Sequence, residues 1–520
     1  MLLNKIFTCS KANFVWKISG VLSGIFSFLL ALLLVVSNSV LRVKTTTEYN
    51  YQNAIEQFGL LPAVYLDLKN IIIPQKDNFV SVDNILSEEE NKVIEEKPPQ
   101  KNELDINFNP ENKVATNDIL YLNDYVNSLT ASQKNKYTGI FKGKNLIFIT
   151  AEAFSKPVIN KDLTPTLYRL STKGINFSDY YQTNESGTTG GEYQNIFGML
   201  PTSGGSSFKN TKNKYNYFTM GSQLDRLGYY GKAYHNNSYT YYDRHLTHIN
   251  LGYSDGFMGY GNGMEQYVEK AWPQSDYEMI SGTLPTYIEK EKFNVYYMSV
   301  SGHNNYTVSE NAMTKRHWEK VKYLNYSNTV KGYLAANLDL EAAVTHLVNE
   351  LEKNKIADDT VIVISPDHFP YGLSSDRNTG TNYLSELYGY DINSCFDRDK
   401  TSLIIWSGSL EKEKAIIVNE PVSSIDILPT LSNLFGTEFD SRLMVGRDVF
   451  SDTEALVFYA NYSFKTNLGT YYSNTGKFVP VNENTVIPEE YVNQIKTIIK
   501  NKIKYCADSQ KTDYFRYLFE

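Results

Sequence analysis

Short apolar runs that alternate with amphipathic helical stretches constrain the fold of this chain more than any other feature. Four such runs, rich in β-branched and aromatic residues, follow residue 140, and the stretch Tyr333–Lys353 between two of them repeats apolar residues at helical spacing. Buried strands separated by amphipathic helices are typical of an α/β domain with a largely parallel sheet flanked by helices. The predicted strands are Asn145–Thr150, Phe293–Val300, Thr360–Ser365 and Ser402–Trp406.

Polar side chains follow three of these predicted strands. Glu152 comes after the first, His303 after the second, and Asp367 and His368 after the third. A lone glutamate or histidine at a strand end is usually a satisfied polar group, but the carboxyl ends of parallel strands share one edge of the sheet, where ligands bind. Glu152, Asp367 and His368 would offer two carboxylate oxygens and one imidazole nitrogen, a set suited to Mn²⁺, Mg²⁺ or Zn²⁺.

A glycine-rich segment, Ser186–Tyr193, places two threonines between the first two predicted strands. The simplest interpretation is a tight loop that caps a helix over Tyr193–Leu200. Beside a metal, however, a threonine hydroxyl has a lowered pKa and becomes a nucleophile. A helix start would also direct backbone N–H groups at an anion. By itself the segment favours the helix cap, and beside a metal it is consistent with a covalent phosphothreonine intermediate.

An uncharged run of 24 residues, Ile18–Leu41, is long enough to cross a bilayer. Three lysines precede the run and two basic residues follow it, so we predict a cytosolic N-terminus and an extracellular body. A cleaved signal peptide is the alternative, although the run is long for one and Ser37–Ser39 is a poor cleavage site. The predicted location is the cell membrane, crossed once.

The chain divides into five predicted segments. Between residues 83 and 105, eight acidic residues stand against three lysines, which is typical of a solvated linker. The preceding segment is apolar but contains glycine, proline and charges, so it fits a membrane-surface or docking segment better than a second crossing. The segments are 1–44 (cytosolic N-terminus and transmembrane helix), 45–82 (membrane-proximal), 83–115 (acidic linker), 116–465 (catalytic domain) and 466–520 (C-terminal extension).

Charge and cysteine content exclude several classes of protein. The net charge of −8 disfavours nucleic acid as a partner, since phosphate binding needs clustered basic residues. Only Cys9, Cys395 and Cys506 occur, and no two of them form a CxxC pair. A disulfide scaffold and a cysteine-based zinc finger are therefore both unsupported.

Several motifs together resemble the lipoteichoic acid synthase-type phosphoglycerol transferases, a membrane branch of the alkaline phosphatase/sulfatase superfamily. The resemblance covers roughly residues 144–450 and implies the α/β fold of that superfamily. The motifs are KNLIFITAEAF with Glu152, SGTTGGEY with Thr188, SGHNNY with His303, SPDHFPYG with Asp367 and His368, VSSIDILPTLSNLFG (Val422–Gly436) and MVGRDVF (Met444–Phe450).

The resemblance implies roles for the residues at the strand ends. Glu152, Thr188, Asp367 and His368 would hold one Mn²⁺, with Mg²⁺ or Zn²⁺ as alternatives. Thr188 would be the catalytic nucleophile, and its four-residue spacing to Glu192 favours it over Thr189. His303 would contact the phosphoryl group or act as the acid/base.

The segment from His235 to Arg244 resembles the substrate-binding stretch of the family. Arg244 would contact the phosphoglycerol head group, consistent with bidentate recognition of phosphate. A structural role in a pair with Asp243 is the alternative. Tyr242 stands where the family usually has tryptophan, and Asn237 where it has aspartate, so the head group and the acceptor stay open.

The implied function is the transfer of phosphoglycerol, or a related alcohol phosphate, in lipoteichoic acid or cell-envelope glycopolymer synthesis. Its partners would be a phosphatidylglycerol-like lipid donor, a glycolipid or glycan acceptor, and the membrane. Family members carry five transmembrane helices and this sequence shows one, which fits either an upstream gene start or a shorter relative.

Three alternative functions remain. A one-metal phosphodiesterase would use water as the acceptor. A sulfatase would need a C/S-x-P-x-R motif, which the sequence around Cys395 does not provide, and paired aspartates after the first strand, where only Glu152 stands. An inactive surface-anchored binding module is disfavoured because the complete ligand set is present.

Overall fold

The computed structural model describes residues 63–66, 79, 100–374 and 381–520. The apolar run at 18–41 and most of the acidic segment lie outside the described residues, so the transmembrane helix and its orientation stay predictions. Within the described ranges, no helix combines the length and the apolar character needed to cross a bilayer.

The strands of the described chain form three sheets with eight, three and four strands. Their bounds are β1 (Asn145–Ala151), β2 (Ile175–Phe177), β3 (Tyr180–Tyr181), β4 (Tyr230–Ser238), β5 (Phe257–Tyr260), β6 (Phe293–Met298), β7 (Thr360–Pro366), β8 (Lys400–Thr401), β9 (Ile404–Ser407), β10 (Ile416–Val418), β11 (Val422–Ser423), β12 (Val457–Phe458), β13 (Phe464–Thr466), β14 (Gly469–Tyr472) and β15 (Lys477–Pro480).

The large sheet has the order β10-β2-β9-β7-β1-β6-β4-β5. From β7 to β5 every neighbouring pair is parallel, which confirms the predicted largely parallel α/β sheet. β9 is the exception, because it runs antiparallel to both β7 and β2. The strand predicted at Ser402–Trp406 is thus present two residues later and in the opposite direction.

The central strands β1, β6 and β7 are buried at every residue. Along β1, Leu146 and Phe148 enter one hydrophobic core while Ile147 and Ile149 enter the other. Both faces of the sheet are therefore covered, and this explains why these strands are continuous apolar runs and not alternating ones.

Helices cover both faces of the large sheet. Their bounds are α1 (Asn117–Asn127), α2 (Pro165–Lys173), α3 (Gly187–Phe197), α4 (Ser206–Asn210), α5 (Met220–Asp225), α6 (Arg244–Thr247), α7 (Asp276–Thr283), α8 (Ala312–His317), α9 (Asn328–Lys353), α10 (Tyr383–Tyr388), α11 (Cys395–Asp399), α12 (Ile427–Phe435), α13 (Tyr491–Thr512) and α14 (Tyr514–Phe519).

The helix predicted over Tyr333–Lys353 is present and longer than predicted. α9 begins at Asn328, where the Ser327 side chain caps it by accepting a hydrogen bond from the backbone N–H of Val330. An N-cap serine satisfies one of the free amides of the first turn, so the extra turn is stable.

Two predicted segment boundaries do not coincide with the limits of the packed domain. Residues 100–115, assigned to the end of the linker, pack on the domain: the Phe108 side chain is 8% exposed and the Asn102 amide donates to the Ser132 carbonyl at 2.8 Å. The boundary after residue 465 falls inside β13, whose sheet continues through β14 and β15. The remaining segment limits stay predictions.

Candidate active site at the strand ends

Three of the predicted metal ligands meet at the carboxyl edge of the sheet. β1 and β7 are parallel neighbours whose last residues pair, so Glu152 and the Asp367–His368 pair follow at the same height. One oxygen from each carboxylate and one nitrogen of His368 all lie within 4.8 Å of one another, and all three side chains are buried. This spacing is short enough for a single ion to contact all three.

One contact of the His368 ring favours a particular tautomer. Its Nδ1 lies 2.8 Å from the Phe369 carbonyl oxygen, an acceptor, which favours the tautomer with the proton on Nδ1 and the lone pair on Nε2. Nε2 lies 3.2 Å from Asp367 Oδ2 and 3.5 Å from Glu152 Oε1. A lone pair facing two carboxylates is the arrangement that a cation would stabilise.

The protein supplies too few hydrogen-bond donors to satisfy the buried carboxylates of Glu152 and Asp367. Burial and the neighbouring Asp367 hold the pKa of Glu152 well above its ordinary value. Asp367 Oδ1 accepts hydrogen bonds from the amides of Ala153 and His368, both at 2.8 Å. Asp367 Oδ2 is buried without a hydrogen-bond donor among the described residues. A divalent cation would satisfy this oxygen and neutralise the pair, so the donor set fits such an ion.

Thr188 lies at this cluster, on the first turn of α3. Its half-buried hydroxyl is 3.4 Å from Glu152 Oε2 and 3.4 Å from His368 Nε2. The neighbouring Thr189 is buried and points elsewhere, since its hydroxyl lies 3.4 Å from the Gly205 carbonyl oxygen. The geometry therefore favours Thr188 over Thr189 as the residue that faces the cluster.

The glycine-rich segment is part of the helix and not a loop before it. α3 runs over Gly187–Phe197, so the helix predicted at Tyr193–Leu200 begins six residues earlier. Gly191 explains the glycine content, because a Cβ at this position would lie 1.7 Å from the Asp367 carbonyl oxygen. Only glycine lets α3 approach the end of β7 this closely.

A second glycine permits the close approach of the His303 segment. A Cβ at Gly302 would lie 2.2 Å from the Glu152 carbonyl oxygen. His303 itself is half-buried, with its Nδ1 2.7 Å from the Asn304 carbonyl and its ring 4.8 Å from that of Trp272. The segment borders the end of β1, and the acid/base role of His303 stays a prediction.

Arg244 is buried in an ion pair within the domain. Its side chain is 1% exposed, and its Nε and Nη2 groups donate to the Glu192 carboxylate at 2.8–3.2 Å. Asp243 is not its partner, since Asp243 pairs with Lys212 at 2.8 Å and with Lys209 at 3.4 Å. The sequence alternative of an Arg244–Asp243 pair is therefore wrong, and head-group binding by Arg244 stays a prediction.

Tyr242 lies beside this arginine, and Asn237 is in strand β4. The Tyr242 ring is 5.7 Å from the guanidinium carbon of Arg244. Tyr242 and Asp243 have positive φ angles, 54° and 56°. This left-handed conformation is uncommon for residues other than glycine. Asn237 is half-buried and accepts a hydrogen bond from the Ser238 amide. Substrate contacts by Tyr242 and Asn237 stay predictions.

Glu192 is the centre of a buried network that no sequence motif indicated. Besides Arg244, its carboxylate lies 3.3 Å from His248 Nε2 and accepts a hydrogen bond from the Tyr296 hydroxyl at 3.2 Å. Arg244 is the largest cause that lowers the pKa of Glu192, to about 2, against the opposing effect of burial. Glu192 lies four residues after Thr188, so this network fixes the helix that carries the hydroxyl.

Asp276 is a residue that the sequence analysis missed. It is fully buried at the start of α7 and accepts hydrogen bonds from the amides of Val300 and Ser301, the Ser301 hydroxyl, and the side-chain amide of Asn236. Burial raises its pKa to about 6. One carboxylate thus joins the ends of β4 and β6. No sequence signal marks it, because its partners are 24 to 40 residues away in the chain.

We expect the Glu192 pair to make stability depend on acid. The fall in its pKa from 4.5 to about 2 corresponds to about 3 kcal/mol of stability. A depressed pKa contributes stability above the unfolded value, and that contribution is lost as the pH falls from about 5 to about 2. Urea unfolding of wild type and Glu192→Gln across this range should show a stability difference that shrinks toward pH 2. A difference independent of pH would contradict the ion pair.

The family model described as Sulfatase matches residues 144–437. Lipoteichoic acid synthase-like YvgJ of Bacillus subtilis is 24% identical over 348 residues, 65% of this chain and 55% of the relative. Lipoteichoic acid synthase of Staphylococcus saprophyticus is 28% identical over 378 residues, 69% of this chain and 56% of the relative. The chain thus spans a little over half the length of these curated relatives.

Two solved structures share the fold. Lipoteichoic acid synthase LtaP of Listeria monocytogenes superposes with a TM-score of 0.59 at 19% identity, covering 75% of this chain and 98% of LtaP. A protein in the alkaline phosphatase superfamily from Vibrio parahaemolyticus gives a TM-score of 0.53 at 17% identity, covering 74% and 91%.

The parallel sheet with its ligand cluster at the carboxyl edge, and a family match over more than half of the sequence, define the class: this chain belongs to the sulfatase family. Within the sulfatase/alkaline phosphatase superfamily it is similar to the lipoteichoic acid synthases. The resemblance inferred from the motifs is thereby confirmed.

Proposed function

We propose that the protein transfers phosphoglycerol, or a related alcohol phosphate, from a phospholipid donor by way of a phosphothreonine on Thr188. The position of the Thr188 hydroxyl carries this proposal, since it stands on the first turn of α3 and 3.4 Å from both Glu152 and His368. The curated relatives named lipoteichoic acid synthase support a role in lipoteichoic acid or related cell-envelope glycopolymer synthesis.

Glu152, Thr188, Asp367 and His368 would hold one divalent cation, and we propose Mn²⁺, with Mg²⁺ or Zn²⁺ as alternatives. When bound, this ion supplies the charge that lowers the pKa of a hydroxyl and stabilises a phosphoryl oxygen. The donor set supports one ion, because a single carboxylate follows β1 and one such cluster is found among the residues that the structure describes.

Two half-reactions follow from a threonine nucleophile. In the first, the Thr188 oxygen loses its proton and bonds to the donor phosphorus, while the phosphorus–oxygen bond to diacylglycerol breaks and that oxygen gains a proton. In the second, an acceptor hydroxyl loses its proton and bonds to the phosphorus, the phosphorus–oxygen bond to Thr188 breaks, and the Thr188 oxygen regains a proton. His303 would be the acid/base, and Arg244, Tyr242 and Asn237 would orient the head group.

Glu192 holds the Arg244 guanidinium in one orientation, which supports a role for Arg244 in positioning the head group. Its Nε and Nη2 groups are engaged by Glu192, which leaves Nη1 as the group to meet a donor. Fixing the guanidinium in advance lowers the entropy that binding a phosphate would otherwise cost.

The proposed setting is the outer face of the cell membrane. A single crossing at residues 18–41 would anchor the catalytic domain there. The proposed partners are a phosphatidylglycerol-like donor and a glycolipid or glycan acceptor, and the net charge of −8 gives no support to nucleic acid.

A sulfatase-type mechanism is poorly supported because the motif around Cys395 is incomplete. No proline follows Cys395 in the spacing of a C/S-x-P-x-R motif. Phosphodiester hydrolysis at the same cluster, and binding without turnover, are outcomes of the experiment below.

The deciding experiment incubates the purified full chain with Mn²⁺ and phosphatidylglycerol labelled in its glycerol head group. We expect diacylglycerol release, with label first on the protein and then on an added glycolipid. Free labelled glycerol phosphate as the sole end product, even with acceptor present, would indicate a phosphodiesterase. No diacylglycerol release, with p-nitrophenyl sulfate cleaved instead, would indicate a sulfatase, and neither activity a binding module.

A further inference from the structure

A cavity separate from the candidate active site lies where the two smaller sheets meet helices α10 and α11. Its volume is about 630 Å³, and its lining combines aromatic rings with ammonium groups. We call it the lysine–tyrosine groove. The residues that define it are Lys156, Lys400, Lys465, Tyr181, Tyr390 and Tyr472.

The groove has more positive than negative charge. One carboxylate, Asp179, pairs with both Lys400 and Lys465 at 2.7 Å. The Lys156 side chain is exposed and makes no ion pair or hydrogen bond with any residue that the structure describes. Partial burial and the nearby Lys400 lower the pKa of Lys156. Asp397 is the only acidic residue among those that line the groove. A bound anion would therefore relieve the repulsion between these lysines.

The aromatic side chains of the groove support one another. The Phe396 ring packs edge-on against Tyr181 at 5.8 Å and against Tyr472 at 5.7 Å. Tyr390, 45% exposed, packs edge-on against Tyr388 at 5.6 Å. Such rings present apolar faces at little cost in conformational entropy, and their hydroxyls bind polar groups, so they suit the carbon skeletons of sugars and polyols.

The groove adjoins the proposed active site. Lys156 follows Glu152 by four residues, so their Cα atoms are at most about 14 Å apart. Helix α11 contributes Asp397 to the groove, while its next residue, Arg398, lies over the Phe369 ring at 4.4 Å. Phe369 directly follows the ligand His368, so one short helix separates the two sites.

We propose that the lysine–tyrosine groove binds an anionic polyol-phosphate chain, the acceptor that this enzyme extends. The identity of the chain rests on the proposed function. Lysine ammonium groups would contact the phosphodiesters, and tyrosine faces would contact the carbons between them. A chain that lies in the groove is held beside the strand ends where Thr188 stands, which favours repeated addition to one chain.

The test is isothermal titration of the full chain with a glycerol phosphate tetramer linked by phosphodiesters, beside neutral maltotetraose. We expect Lys156→Glu to weaken tetramer binding about tenfold, because one attraction is replaced by a repulsion, and Lys156→Gln to weaken it less. Lys136→Glu is the matched control, since Lys136 is also exposed and packs over a tyrosine, Tyr137, at 4.9 Å in a different cavity. It should bind like wild type.

Diacylglycerol release without acceptor separates this proposal from the proposed function. In Lys156→Glu that release should equal wild type, because the donor half-reaction does not use the groove. Wild-type tetramer affinity in Lys156→Glu, an equal loss in Lys136→Glu, or equal affinity for maltotetraose would each overturn the groove proposal. Intact groove binding in a chain that releases no diacylglycerol would instead overturn the proposed function.

Discussion

Replacing Thr188 with alanine should abolish donor cleavage and acceptor transfer together, with a loss of at least about 10³-fold in diacylglycerol release. Its hydroxyl is the one in α3 that faces the Glu152–Asp367–His368 cluster. The fold should persist, because alanine is a good helix former and the lost side chain is half-buried. Intact-protein mass spectrometry after donor exposure should find a glycerol phosphate adduct on wild type and none on Thr188→Ala.

Thr189→Val is the matched control for this experiment. Valine keeps the shape of the buried side chain and removes a hydroxyl that lies 3.4 Å from the Gly205 carbonyl oxygen. Thr189→Val should therefore keep both the adduct and most of the diacylglycerol release. Peptide mapping that places the adduct on Thr189 would reverse the assignment. Full turnover by Thr188→Ala without any adduct would show direct transfer to the acceptor.

Asp367→Asn should remove metal binding and turnover while it leaves the local backbone in place. The asparagine side-chain oxygen can still accept hydrogen bonds from the backbone amides of Ala153 and His368, as Asp367 Oδ1 does. The charged Oδ2, which has no donor, is replaced by an uncharged NH₂ group. Elemental analysis after dialysis should find near one equivalent of Mn²⁺ in wild type and little in the variant. Two tightly bound ions per chain would contradict the single-ion site.

The same variant has a readout that does not depend on activity. A ligand at a hundred times its dissociation constant stabilises the folded state by about 2.7 kcal/mol, so Mn²⁺ should raise the melting temperature of wild type by several degrees. Asp367→Asn should lose this response. Asp448→Asn, which alters a buried carboxylate outside the cluster, should keep it. An equal Mn²⁺ response in all three proteins would place the ion elsewhere.

The meeting of Glu152, Asp367 and His368 was predictable from sequence, because it does not require knowledge of the order of the strands in the sheet. Glu152 and the Asp367–His368 pair each follow a buried apolar run, and parallel strands end at one edge whatever their order. The direction of β9 was not predictable in this way. A short apolar run such as Ser402–Trp406 fits a parallel or an antiparallel position equally well, and pairing with β7 and β2 decided it.

The glycines of α3 show why helix propensity misplaced the start of this helix. Gly187, Gly190 and Gly191 disfavour a helix in isolation, so the sequence indicated a loop. In the fold, a Cβ at Gly191 would lie 1.7 Å from the Asp367 carbonyl oxygen. Close packing against the end of β7 outweighs the propensity, and that contact joins residues far apart in the chain.

The sequence by itself determined the fold class and the members of the candidate metal cluster, because hydrophobic periodicity and the edge rule of parallel sheets are local properties of a chain. Only the tertiary structure decided which acid neutralises Arg244, which threonine faces the cluster, and that lysines from distant segments share one groove. Asp243 is next to Arg244 in sequence, yet Glu192 binds it. A buried charge pairs with the group that packing brings within reach, and packing is set by the whole chain.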